Sequence, residues 1–219
     1  MKIFADSADI QMLKKVEELG VLQGITTNPL IVSKEEGTPV EVITRLVKAF
    51  PDLPMILCQA NGETCEEILA MAKAYAQIDP RLTIKIAAVP EGFKALRKIK
   101  KEKLFENKIC VTTITTVAEA ILAAAAGADF VSPYVGDIDQ VGYCGMQTLK
   151  DMVTALEDTN TTVLAAAVER AYDLQLAATY GVKIVTITPQ SILNLLEKPY
   201  PLTKWYVDLF VGAQRSKEQ

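Results

Sequence analysis

Two periods alternate along the chain. Apolar residues recur every three or four positions at Ile10, Leu13, Val16 and Leu19, at Val40, Ile43, Leu46 and Val47, at Ile68, Met71, Ala72 and Tyr75, and at Leu149, Met152, Val153 and Leu156. That spacing lines one face of a helix. Between these stretches lie short runs that read as strands: Lys2 to Asp6, a very short one within Gly24 to Pro29, Met55 to Ala60, Leu82 to Pro90, Lys108 to Thr113, Asp129 to Ser132, Thr162 to Ala166 and Lys183 to Ile187. The boundaries agree. Gly20, Gly127 and Gly181 stand where helices should stop, and Thr64-x-x-Glu67 and Thr116-x-x-Glu119 have the form of capping boxes. Thr188-Pro189 supplies a cap and a first-turn proline for a helix reaching Glu197. The Gly- and Asp-containing stretch from Tyr134 to Gly145 reads as a crossing loop.

Strands alternating with helices imply parallel βαβ units. Eight of them, at a spacing of roughly 25 residues, predict an α/β chain folded as one (β/α)8 TIM barrel domain over residues 1–219. A doubly wound open sheet is the alternative, but neither GxGxxG after the first strand nor GxxxxGK[ST] is present to favour it. An extra C-terminal helix follows the break at Lys198-Pro-Tyr-Pro201. Leu202, Trp205, Tyr206, Leu209 and Phe210 give residues 202–213 an apolar stripe, which suits either a lid on the barrel floor or a subunit contact. Ser216 to Gln219 are expected to be disordered.

Composition narrows the chemistry. Lys and Arg total 23 against 27 Asp and Glu, a formal charge of -4. A general nucleic-acid binder would show a basic face; the basic residues between Arg81 and Lys108 are mixed with acids and fit a solvated helix. No stretch has the form of a secretory leader or approaches the length of an uncharged membrane span, so a cytoplasmic location is expected. Cys58, Cys65, Cys110 and Cys144 form no CxxC pair, which makes reduced thiols the expectation. There is no histidine. Histidine bases, histidine metal ligands and every triad that needs an imidazole are thereby excluded.

Lys85 is the residue out of place. It interrupts the apolar run Leu82 to Pro90 between Ile84 and Ile86, and buried lysines are rare. It could snorkel out of the sheet or pair with a carboxylate; it could equally be a nucleophilic amine aimed at a carbonyl. In a barrel the active site lies at the C-terminal mouths of the strands. Polar residues fall there repeatedly: Asp6, Thr26, Asn28, Gln59, Lys85, Thr112 and, just past the sixth strand, Tyr134. Singly, each has a plain explanation, such as a helix cap at Asp6 or a turn at Thr26 and Asn28. Together around one lysine they form a constellation.

The chain also resembles the transaldolase-like class I aldolases, the fructose-6-phosphate aldolase group of the transaldolase family. The marks are Phe4-Ala-Asp6-Ser, Gly24-Ile-Thr-Thr-Asn-Pro29, Lys85-Ile-Ala-Ala-Val-Pro-Glu-Gly92, Gly127-Ala-Asp-Phe-Val-Ser-Pro-Tyr134, Ile138-Asp139 and Val163-Leu-Ala-Ala166. The resemblance implies a cofactor-free and metal-free enzyme in which Lys85 forms a Schiff base with a dihydroxyacetone- or hydroxyacetone-type ketone that is joined to an aldehyde. It gives Asp6 a part in orientation and proton transfer, Asn28 and Thr26 contacts to the donor, and Gln59, Thr112 and Tyr134 a catalytic water. Gln59 and Tyr134 are the identities of the aldolases, where transaldolases carry Glu and commonly Phe. Phosphate-binding relatives place cations and a hydroxyl where this chain has Asp137, Ala167 and Glu169, with Arg170 adjacent, so the substrate-binding end looks altered. The resemblance further implies a homo-oligomer, pentameric or decameric, whose C-terminal helix reaches a neighbouring subunit, with no nucleic-acid or membrane partner. A transaldolase, and a catalytically silent sugar-binding or scaffold barrel, are the alternatives.

Overall fold

The computed structural model describes residues 1–168, 170–197 and 201–216. Eight parallel strands close on themselves in sequence order: β1 (Lys2–Asp6), β2 (Ile25–Thr26), β3 (Ile56–Gln59), β4 (Leu82–Ala87), β5 (Ile109–Ile114), β6 (Phe130–Pro133), β7 (Thr162–Ala165) and β8 (Ile184–Ile187). The helices are α1 (Ile10–Glu18), α2 (Pro29–Val32), α3 (Pro39–Ala49), α4 (Cys65–Ala76), α5 (Pro90–Glu102), α6 (Val117–Ala125), α7 (Val135–Gln140), α8 (Gly145–Ala155), α9 (Ala171–Thr179), α10 (Pro189–Glu197) and α11 (Pro201–Arg215). The expected (β/α)8 barrel with an extra C-terminal helix is present, and the open sheet is ruled out by the pairing of β1 with β8.

Local chemistry sets the boundaries. Thr38, Thr64 and Thr116 each close a reciprocal capping box with the glutamate three residues on. Asp9, rather than Asp6, caps α1, accepting a hydrogen bond from the Met12 N–H. That leaves Asp6 free for the lumen. Two short helices were not expected. Asn28 caps α2, which starts at Pro29, and α7 occupies part of the stretch read as a crossing loop, where polar residues hide the helical period. Gly24 is required where β2 passes β1, because a Cβ there would lie 2.4 Å from the Phe4 ring.

Alternation along the strands turns Phe4, Leu57, Cys110, Phe130, Leu164 and Ile184 into the lumen, where they form a buried cluster. The larger core lies between the sheet and the helices. Two residues further along, and so on the same lumen face, stand Asp6, Gln59, Thr112, Ser132, Ala166 and Thr186. Thr26 is paired with Asp6, and Lys85 with Gln59. The mouth layer is polar at almost every strand. At the other end, Arg81 anchors the start of β4, its guanidinium donating to the carbonyls of Phe50, Pro51 and Leu53 while pairing with Asp79.

Helix α11 buries none of its side chains. Trp205 is 54% exposed and Phe210 63%, so the helix is no lid on the barrel floor of its own chain. Lys198 to Tyr200 and Lys217 to Gln219 lie outside the described residues. None of the described helices is long and apolar enough to cross a membrane.

The turn after β4 allows a direct test. A Cβ on Gly92 would sit 2.2 Å from the Ala87 carbonyl oxygen, and backbone cannot yield as a flexible side chain can. Gly92→Ala is expected to destabilise the fold by about 1–3 kcal/mol, the range for overpacking. A denaturant midpoint equal to that of the parent would contradict this contact.

Candidate active site

Lys85 is 3% exposed, and its Nζ donates to the Thr27 carbonyl at 3.0 Å. It neither snorkels nor forms an ion pair with a carboxylate. The strand holds it inward because β4 pairs on both sides, with β3 and β5. It lines a cavity of about 210 Å³ together with Asp6, Asn28, Tyr134, Asp137 and Ala167, so six sequence-selected residues come together there. Ala166, Val168, Thr186, Ile187, Thr188 and Ser191 complete the wall.

Asp6 faces this cavity from the end of β1. Burial pushes its carboxyl above the ordinary carboxylate range, against the opposing pull of the Lys85 charge and of the hydrogen bond from Thr26. The Thr26 hydroxyl lies 2.5 Å from Asp6 Oδ1 and 2.6 Å from Thr186 Oγ1. Thr26 therefore stands behind Asp6 and does not itself line the cavity.

Gln59 and Thr112 stand on the strands flanking β4 but do not line this cavity: Thr112 is buried, and Gln59 is half-buried and lines a neighbouring pocket with Asn28 and Asn61. Gln59 Nε2 donates to Asn61 Oδ1 at 2.9 Å. Gln59 Oε1 and Thr112 Oγ1 are buried without a protein partner, and so is Ser132 Oγ on the neighbouring strand. Buried polar atoms normally have partners, so these three mark a patch able to bind a water or a substrate hydroxyl. A register shift in β5 just after Thr112 coincides with a left-handed Thr113, φ 59°. Such a bulge re-aims the residues beside it. Ala167 is left-handed as well, φ 55°, and its carbonyl accepts from the Gly136 N–H. Two of the strained backbone positions thus sit at the mouth.

Arg170 is turned elsewhere. Its guanidinium donates to both carboxylate oxygens of Asp173, at 2.7 and 2.8 Å, and it does not line the cavity. Glu169 lies outside the described residues. The thiols near the lysine are poor nucleophiles: burial raises Cys58, and raises Cys110 to about 12. Among the described residues, no group of three or more acidic or cysteine side chains could hold a metal ion.

Ser132 and Thr186 were not selected from the sequence. Both are polar and lumen-facing near the ends of their strands, so the signal that marks Thr112 also marks them.

The raised Asp6 carboxyl has a stability consequence. The folded chain holds this proton more tightly than the unfolded chain. Its contribution is therefore present below the ordinary carboxylate range and is lost as pH rises through the raised folded value. Asp6→Asn removes the burden at neutral pH. The variant is expected to melt higher than the parent at pH 8, and to gain less at pH 4. Equal gains at both pH values would refute the assignment to Asp6.

Known proteins bear on what such a barrel is for. In fold, the chain is similar to a structure provisionally assigned as a deoxyribose-phosphate aldolase from Coccidioides immitis, with a TM-score of 0.63 at 15% identity, covering 86% of this chain and 81% of that one. In sequence, it is 33% identical over 217 residues to a probable transaldolase of Nitrosopumilus maritimus (strain SCM1), covering 96% of this chain and 93% of that relative. It is 34% identical over 220 residues to a probable transaldolase of Thermoanaerobacter sp. (strain X514), covering 100% and 96%. The family model for Transaldolase/Fructose-6-phosphate aldolase matches residues 3–214. With the match running through every strand of the barrel, the chain belongs to the transaldolase/fructose-6-phosphate aldolase family of enzymes.

Proposed function

We propose that the protein is a class I aldolase that makes or cleaves a carbon–carbon bond between a dihydroxyacetone- or hydroxyacetone-type donor and an aldehyde. The observation that carries the reading is the buried Lys85 amine facing a small cavity among oriented polar groups. The amine adds to the ketone carbon of the donor, and loss of water gives an iminium. Its positive nitrogen draws electrons through the C=N carbon, the carbon next to that one gives up a proton, and an enamine forms. The enamine carbon attacks the aldehyde, the iminium returns, and the new alkoxide takes a proton. Water then hydrolyses the iminium, freeing the product and the lysine. Cleavage runs the same steps backward.

Asp6 is given the proton transfers next to Lys85, and Asn28 a donor hydroxyl. Gln59, Thr112 and Tyr134 hold the water that carries protons; the unpartnered Gln59 and Thr112 oxygens support that role. Holding the reacting groups in place is what the barrel supplies. No cofactor enters these steps.

The acceptor end favours an aldehyde without phosphate. Asp137 places a carboxylate on the cavity wall, Ala167 offers a methyl group, and Arg170 is engaged by Asp173. Lys85 is the only cation among the described lining residues. Phosphate sites are built around Arg and Lys instead.

A second reading, transfer of a dihydroxyacetone unit between sugars, is favoured by the transaldolase names of the relatives. The Gln59 and Tyr134 identities argue for release of the free ketone. For quaternary structure, the apolar stripe of α11 supports a homo-oligomer, pentameric or decameric, in which this helix docks on a neighbour. A cytoplasmic location fits this chemistry.

Borohydride reduction with dihydroxyacetone or hydroxyacetone should leave a mass adduct on the peptide holding Lys85, absent in Lys85→Met. No adduct with either donor would favour a silent barrel. A ketose supplied alone should yield free dihydroxyacetone; release only when an acceptor aldehyde is added would mark a transaldolase. Asp137→Arg with Ala167→Ser should raise kcat/KM for fructose 6-phosphate by about tenfold or more, the worth of one charge-assisted contact, whereas efficient use of that substrate by the parent would defeat the acceptor assignment. Trp205→Glu with Phe210→Glu should reduce the assembly mass measured by light scattering, and a monomeric parent would end the oligomer proposal.

A further inference from the structure

We propose that Thr186, on β8, is a positioning residue for this chemistry: it fixes the single proton of Thr26 on Asp6 and so holds the carboxylate in one orientation toward Lys85. The inference rests on the aldolase reading and adds to it a residue outside the groups that contact the reacting atoms.

The argument is one of proton inventory. A threonine hydroxyl has one proton to give and two lone pairs to receive with. Thr26 Oγ1 is within hydrogen-bond reach of both Asp6 Oδ1 and Thr186 Oγ1. An ionised carboxylate can only accept, so while Asp6 is charged the Thr26 proton must point to Asp6. The contact between the two threonines then has only one solution, in which Thr186 donates to Thr26. Both threonines are almost fully buried, at 1% and 2% exposure, and Thr26 does not line the cavity, so bulk water has little access to the oxygen they share. The chain runs Thr186 to Thr26 to Asp6 across β8, β2 and β1, and bonds in such a series polarise one another. Thr186 thereby strengthens the donor that Asp6 receives, and leaves the other carboxylate oxygen for the cavity.

The surroundings leave few competing influences on Asp6. Lys85 on β4 is the charged group facing it. Tyr134 and Asp137 line the same cavity from the β6–α7 side, and Asn28 and Ser191 are its uncharged neighbours from α2 and α10. Removing the Thr186 donor weakens support for the charged carboxylate, so Asp6 should hold its proton to higher pH. A residue that merely filled space on β8 would have no such effect.

The test uses the full-length protein and the pH dependence of kcat for aldol cleavage, with the Lys85 borohydride adduct as a check on each variant. Thr186→Val keeps size and shape. It is expected to move the acid limb of the profile to higher pH, lowering kcat about tenfold on that limb and little on the plateau, with the donor KM changed less than twofold. Thr186→Ser, which keeps the hydroxyl, should restore the parental limb. In a Thr26→Val background, Thr186→Val should add nothing further, since its route to Asp6 is already cut. An adduct with an unmoved limb in Thr186→Val would overturn the proposal, as would additive effects of the two valines or a loss that serine does not restore. Absence of a Lys85 adduct in the parent would instead remove the aldolase reading, and this proposal with it.

Discussion

An amine withdrawn from water has to be answered by its surroundings, and the mouth of this barrel is arranged around that demand. Lys85 sits inside the lumen with the Thr27 carbonyl as its partner. Removing a charged group from solvent is costly, and an apolar strand such as Leu82–Ala87 gives it nothing in return locally. The answer comes from other strands. Asp6 on β1 contributes an opposing charge, and Thr27, just past β2, a carbonyl. Neither strand is a neighbour of β4 in the sheet; closure of the barrel is what turns their ends to face one lysine.

The same closure separates stability from chemistry. Phe4, Leu57, Cys110, Phe130, Leu164 and Ile184 fill the lumen as an apolar plug, and the next lumen-facing residue of each strand belongs to the mouth. One step along each strand crosses from packing to reactivity. The Asp6 carboxyl is disfavoured as a charge by the burial that also orients it. Oriented but uncomfortable groups are common at active sites, where fixed geometry offsets lost stability.

Much of the barrel was legible in the chain because period and punctuation agree there. The helix at Thr64 announces itself by its capping box and by Ile68, Met71 and Tyr75 on one face. Lys85 was legible as a charge in an apolar strand. Other features depend on contacts that no local pattern encodes. The helix at Val135–Gln140 has too few apolar residues to show a helical period, and its first two N–H groups are held by the carbonyls of Ala166 and Ala167. The cap of α1 passed to Asp9, which left Asp6 to the lumen. Thr186 carries the same strand-end signal as Thr112, but its partnership with Thr26 shows only when barrel closure places β8 beside β1. Arg170 shows the reverse: adjacency in sequence put it near the mouth, but Asp173, three residues on along the same helix, claims its guanidinium.

The left-handed backbone at Ala167 has a consequence for how this cavity can change over evolutionary time. A side chain in that conformation leaves the backbone along a fixed direction, held by the Gly136 N–H that binds the Ala167 carbonyl. Any residue accepted at 167 inherits that direction and brings only new chemistry to it. The conformational strain, on the order of 1 kcal/mol for a non-glycine residue, is already carried by alanine. A hydroxyl or an amide could therefore enter at little added cost, and glycine would relieve the strain but leave the wall bare. The far end of the pocket is in this sense a socket with a set orientation, and its specificity can be rewritten one residue at a time without rebuilding the barrel.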